Sequence, residues 1–138
     1  MANALYPKIK EALLQASAGS SLAGSGTTGV YAALVTAGYT YSSAHQFYSS
    51  LGANVVGTDQ EITTKTFTNG LFTGANVTFP SVPSGTAANA IVLYVKNAGA
   101  NTTWQLLAYI DTGVTGLPVT PNGGNISVTW NGSGIFQL

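Results

Sequence analysis

The sequence predicts a mainly β fold: an antiparallel β-sandwich or open barrel with an N-terminal amphipathic helix and one short internal helix. Three observations lead there. Residues 90–95, 104–110 and 126–130 form apolar runs too short for an ordinary helix, rich in β-branched and aromatic side chains and bounded by Gly, Asn or Pro. Turn-forming residues recur at 97–101, Asn122-Gly123-Gly124 and Asn131-Gly132, a cadence of short strands rather than of strands alternating with helices. The chain has 138 residues and no Cys, enough for one domain that buries roughly 65–70% of its unfolded surface without disulfide staples.

Taken in order, residues 2–16 place Leu5, Ile9 and Leu13 at four-residue spacing, with Lys8, Lys10 and Glu11 off that stripe, which predicts an amphipathic helix. Pro7 is harmless as the first helical residue, so the helix is expected over about 7–16; a start at Asn3 would put the ring near the end of the first turn. The helix either packs on its own sheet or acts as an arm reaching a neighbouring subunit. Residues 17–29 read as a flexible Gly/Ser-rich connection before a β domain over 30–138. Within the connection, Gly24-Ser25-Gly26-Thr27-Thr28-Gly29 matches the dinucleotide-binding fingerprint in form only. That fingerprint works between a strand and a following helix, and here the order is reversed, so no cofactor is expected.

Residues 30–35 predict a strand. Ser43-Ala44-His45-Gln46 has the form of a capping box, followed by Phe47, Tyr48 and Leu51 at helical spacing and by Gly52 as a stop, which predicts a short helix or helical turn. His45, with no carboxylate, Cys or second His nearby in sequence, reads as a surface or hydrogen-bonded histidine rather than a ligand or base. Residues 62–67 and 77–79 predict two further strands joined through Asn69-Gly70, a dipeptide suited to a tight turn. The runs at 90–95 and 104–110 are apolar at successive positions, so both faces should be covered and the pair should form the centre of the sheet. The third run alternates Ile126, Val128 and Trp130 with Ser127 and Thr129, so it is expected as the next antiparallel strand, nearer an edge.

Only Lys8, Lys10, Glu11, Asp59, Glu61, Lys65, Lys96 and Asp111 are charged, 6% of the chain, against about 25% in ordinary soluble domains. With zero net charge, such a molecule lacks the repulsion that keeps monomers apart, so much of its surface is expected to be covered by other protein, in a homo-oligomer or on a larger assembly. Without clustered cations, nucleic-acid binding is disfavoured. The longest apolar runs fall far short of the roughly 20 residues of a membrane span. Lys8, Lys10 and Glu11 stand where a signal peptide would need apolar residues, so no secretion signal is expected.

An enzyme needs convergent acids, bases, nucleophiles or a metal, and this chain offers four carboxylates, one His and no Cys or Arg. No catalytic residue and no metal site are expected. Asp59 and Glu61, two apart on a strand, would lie about 6–7 Å apart, within reach of an inverting glycosidase geometry, but acidic residues entering a strand from a polar turn explain them better. Asp111 is expected to bond the backbone of the turn after its strand. The sequons at Asn76, Asn101, Asn125 and Asn131 report composition. Trp104, Trp130 and the seven Tyr could stack on sugars if solvent-facing, although such aromatics more often belong to a core or interface.

The opening Met1-Ala2-Asn3-Ala4-Leu5-Tyr6, the segment 39–47, Val77-Thr78-Phe79, Ala90-Ile91-Val92, Leu107-Ala108-Tyr109-Ile110-Asp111-Thr112, Gly116-Leu117-Pro118-Val119-Thr120-Pro121-Asn122-Gly123-Gly124 and Ile135-Phe136-Gln137-Leu138 together resemble a family of small proteins encoded in tailed-bacteriophage genomes. The chain is less charged than the pattern, with Thr36-Ala37-Gly38 in place of an acidic turn. The resemblance implies a virion accessory protein: first a capsid decoration protein whose partner is the major capsid protein, second a neck, tail or fibre component. It implies assembly in the host cytoplasm and residence in the virion. The residues themselves leave a further alternative, a glycan-binding module on the virion that uses solvent-facing Trp and Tyr with Asn and Thr donors. Candidate interface residues are Leu5, Ile9 and Leu13 in the amphipathic segment and Ile135, Phe136 and Leu138 at the carboxyl end.

Overall fold

The computed structural model describes residues 3–138 and is mainly β, with every paired strand antiparallel. Met1 and Ala2, which begin the amphipathic segment and the phage-like opening, lie outside the described residues. Strand β1 (Ala4–Leu5) leads into helix α1 (Pro7–Leu14), with Pro7 in the first turn where its missing N–H is not needed. The helix stops short of residue 16. Ala16 takes φ +50°, and the Ser17 and Ala16 N–H groups bond Ala12 and Leu13 carbonyls, a Schellman closure built without glycine.

Seven more strands follow in a first group and its satellites: β2 (Val30–Thr36), β3 (Val55–Glu61), β4 (Leu71–Phe72), β5 (Val77–Phe79), β6 (Ala88–Val95), β7 (Gln105–Ile110) and β8 (Ile126–Val128), and the chain closes with β9 (Phe136–Gln137). The main sheet has the order β1-β7-β6-β2-β3, flanked by two short ladders, β4 with β9 and β5 with β8. Strand β6 is the centre, buried along almost its whole length, as continuous apolarity predicts for a strand covered on both faces. Register places Tyr31 beside Tyr94 and Tyr109 beside Val92, so by alternation these three tyrosines share one face, while Ile91, Leu93, Ala32 and Leu34 form the other. Helix α1 packs against β7, with Tyr6, Ile9 and Ala12 in the core.

Four sequence expectations are corrected. Residues 126–130 do alternate buried and exposed, but β8 pairs with β5 and not with β7, because β1 already occupies the free edge of β7 through Ala4–Tyr109 and Leu5–Ala108. Residues 62–67 are not a strand: Ile62 is buried, then Thr64 turns to φ +53° and ends the extended run, leaving only a bridge from Thr66 to Thr73. Asn69-Gly70 takes the expected positive φ values, 56° and 76°, but reverses the chain within that bridge rather than toward residues 77–79. The capping box at 43–46 starts no helix. Instead the Gln46 carbonyl accepts from Leu106 N–H and Tyr48 N–H donates to the Trp104 carbonyl, both at 2.8 Å, so the sheet takes the backbone groups a helix would have used; a 3-10 segment follows at Tyr48–Asn54 and breaks at Gly52.

Candidate functional site

Among the concave features of the surface, two bear on function. The first is an apolar groove of about 430 Å³ where α1 meets β9, lined by Leu5, Lys10, Leu13, Leu14, Gln137 and Leu138. Leu14 is 89% exposed and Leu138 62%, values that isolated leucines reach but that are unusual side by side in one groove. Leu138 also borders a second apolar depression of about 240 Å³ with Leu22, Phe67, Phe72 and Phe136, so the apolar surface continues past the carboxyl-terminal strand.

Of the six candidate interface residues, Leu5, Leu13 and Leu138 meet in this groove and Phe136 borders the adjoining depression. Ile9 and Ile135 stand outside it. Ile9 is 1% exposed, because it lies on the core side of α1, and Ile135, largely buried just before the last strand, donates its N–H to the Phe72 carbonyl and edges other depressions. The four-residue stripe therefore selects the buried side of the helix as well as its margin. Leu14, the most exposed of the large apolar side chains among the described residues, is missed because it flanks the stripe; an apolar residue off the core face of an amphipathic helix is its available signal.

The second feature is an aromatic hollow of about 450 Å³ on the tyrosine face of the sheet, lined chiefly by Tyr31, Tyr48, Tyr94, Trp104, Asp59 and Lys96. Two irregularities shape it. In β3, Gly57, Thr58 and Asp59 stand where regular pairing has room for one residue opposite Ala33, and in β7 Leu107 is the extra residue opposite the Leu93–Tyr94 step of β6. Such bulges bend strands and redirect side chains. Gly57 sits at φ +72°, and a Cβ there would lie 3.2 Å from a Val82 methyl, so glycine permits the bulge on two grounds.

The bulge delivers Asp59 to the rings. Tyr48 and Tyr94 hydroxyls each donate to Asp59 Oδ2 at 2.8 Å, while Oδ1 is buried with no hydrogen-bond partner among the described residues. Burial raises the Asp59 pKa above the ordinary carboxylate value; the two tyrosine bonds and the charge of Lys96 oppose that rise without cancelling it. Burial, reinforced by the Asp59 charge and hydrogen bond, pushes the Tyr48 and Tyr94 hydroxyls up as well. Tyr94 stacks on Trp104 with ring planes 7° apart at 5.6 Å, and Tyr48 meets both edge-on. The Lys96 ammonium lies 4.9 Å from the Tyr31 centroid and 5.2 Å from that of Trp104, a cation held by ring faces.

Glu61 does not join Asp59. Its Oε1 accepts from Gly26 N–H at 2.8 Å, and a Cβ on Gly29 would fall 2.7 Å from the same oxygen. The glycines that mimic a dinucleotide fingerprint thus admit a carboxylate of the protein itself. Trp130 is core, 7% exposed, with its indole N–H on the Ala75 carbonyl, so of the two Trp only Trp104 borders the hollow. His45 Nδ1 is 2.9 Å from the Tyr39 hydroxyl, which is 2.7 Å from that of Tyr6, the hydrogen-bonded setting expected for it. The turn after β7 is capped by Asn3, whose Oδ1 accepts from the Asp111 and Thr112 N–H groups, while burial and then the neighbouring Asp111 raise the Tyr109 pKa. No helix among the described residues is long and apolar enough to cross a membrane, and no group of three His, Cys, Asp or Glu there could hold a metal ion. Comparison with protein-family models, curated proteins and solved structures finds no match for this chain.

Proposed function

We propose that this chain is a non-enzymatic structural protein of a tailed-phage virion, and that it decorates the capsid by docking the α1–β9 groove on the assembled shell of the major capsid protein. The observation that carries the reading is the apolar groove itself, with Leu14 and Leu138 both largely exposed on a molecule that has eight charged side chains to keep it in solution. Burying those side chains against a partner removes apolar surface from water at about 25 cal/mol per Å². The groove carries a single cation, Lys10, so contact there depends on apolar burial more than on charge. The resemblance to tailed-phage proteins supplies the class of assembly; a neck, tail or fibre position is the second reading within that class.

Purified chain mixed with assembled shells is expected to co-sediment with them and to remain bound in molar NaCl, since screening weakens ionic contacts and leaves apolar burial intact. Leu14→Asp places a charge in the groove without touching the core and is expected to abolish co-sedimentation while the melting temperature stays within a degree or two of the parent, as surface substitutions usually leave it. Release by NaCl alone, or full binding by Leu14→Asp, would reject the docking mode. Electron microscopy of the particle, with density for the chain at the neck or tail instead of on the shell, would select the second position.

A further inference from the structure

We propose that the aromatic hollow over β2, β3 and β6 is a binding site for a neutral saccharide, which stacks on the Tyr31 and Trp104 rings and hydrogen-bonds to Lys96 and Asn101. The inference does not rest on the docking reading, since the hollow and the groove share no lining residue. Its chemistry is specific in three respects. The volume, about 450 Å³, falls among small-molecule sites. The lining pairs one carboxylate with one ammonium, so an anionic ligand meets Asp59 and a cationic one meets Lys96, whereas a neutral ligand with both donors and acceptors is opposed by neither. Ring faces accept the C–H face of a pyranose, and a pyranose edge supplies the hydroxyls.

Asp59 holds the rings in place and is not open to a ligand, since Oδ2 already accepts from both tyrosine hydroxyls and Oδ1 is buried. One group in the hollow does lack the partners that a sugar provides: among the described residues the Lys96 ammonium makes no hydrogen bond or ion pair and lies over the two rings. A long, flexible side chain in that position shields the ring faces in the free protein. It can swing aside to donate to a ligand oxygen. Asn101, exposed at the rim, adds an amide that can both donate and accept.

The test uses the full chain and four neutral trisaccharides, maltotriose, cellotriose, chitotriose and mannotriose, each at millimolar concentration, with acidic 3′-sialyllactose alongside. Saturation-transfer NMR is expected to show at least one neutral trisaccharide bound through its ring C–H protons. Titration is expected to show affinity falling about tenfold or more in Trp104→Ala, the scale set by losing an aromatic contact. Because the Trp104 indole N–H also holds the Asn97 and Gly99 carbonyls, that variant could disturb its loop. Tyr31→Ala is the companion: the Tyr31 hydroxyl has no hydrogen bond among the described residues, so the fold should survive while the stacking face is lost. No transfer to any neutral trisaccharide, parental affinity in a folded Tyr31→Ala, or preference for 3′-sialyllactose over all four would overturn the proposal.

Discussion

Asp59 shows how a single side chain can record the character of its surroundings. Its ordinary pKa is 3.8, and burial raises it in the folded chain despite two tyrosine donors and Lys96. The folded state therefore holds this proton more tightly than the unfolded state does. The contribution to stability is fully present below the ordinary value, declines as pH rises from about 4 through the raised folded pKa, and is flat above it. Asp59→Asn has no such proton, so urea midpoints measured from pH 4 to 7 should fall more for the parent than for the variant; parallel curves would show that burial does not dominate at Asp59. A second test concerns Tyr6 and Tyr39, whose hydroxyls are 2.7 Å apart in the core. Tyr6→Phe is expected to cost about 1–2 kcal/mol, and in a double-mutant cycle with Tyr39→Phe the loss should fall short of additive by at least about 0.5 kcal/mol. Strict additivity would mean that the pair does not interact. In sequence, Asp59 and Glu61 look like a pair because they are two apart, and only the bulge, together with the glycines that admit Glu61, sends them to different partners. The ring cluster was equally hidden, since Tyr31, Tyr48, Tyr94 and Trp104 come from four separate segments whose register no local pattern encodes.

Among the elements, those with unbroken apolar character were legible and those with mixed character were not. Strands β2, β6 and β7 could be read because burial on both faces demands apolar side chains at successive positions. Strand β3 reads Val-Val-Gly-Thr-Asp-Gln-Glu, the polar composition of a sheet edge, and went unassigned while the more apolar residues 62–67 took its place. The short internal helix is present but starts later than its capping pattern: backbone pairing of Gln46 and Tyr48 with Leu106 and Trp104 holds the chain extended through the capping box, and a 3-10 segment forms at Tyr48–Asn54. The β3 bulge supplies the element-scale prediction. Gly57→Ala combines a positive φ with a Cβ at 3.2 Å from Val82, so it should destabilise the fold by about 1–2 kcal/mol. It should also displace Asp59 from the hydroxyls of Tyr48 and Tyr94, visible as a shift in tyrosine ultraviolet absorbance. A variant with unchanged midpoint and spectrum would show that the bulge does not depend on glycine.

At the scale of the whole molecule, the residues that begin the described chain are built into the main sheet and its core. Strand β1 pairs with β7 across more than a hundred residues of sequence, Asn3 caps the turn after β7, and Tyr6 and Ile9 are within 1% of full burial. An arm that reached a neighbouring subunit would leave residues 30–138 intact when removed, whereas a segment packed into the sheet would not. Deleting residues 1–16 takes away Tyr6, Ile9 and Ala12 from the core and reopens the edge of β7, so the truncated chain is expected to lose most of its stability. Ile9→Ala alone should cost about 2–4 kcal/mol, the range for emptying a buried aliphatic site. Circular dichroism and urea titration of both variants check this: a truncation that melts cooperatively near the parental midpoint would restore the arm. The contrast between Ile9 and Leu14, five residues apart on one short helix, then separates the two uses of that helix. A substitution at Ile9 should change the fold first and association through it, while one at Leu14 should change association and leave the fold alone, so measuring melting and co-sedimentation on the same two variants tells whether α1 serves the core, the groove or both.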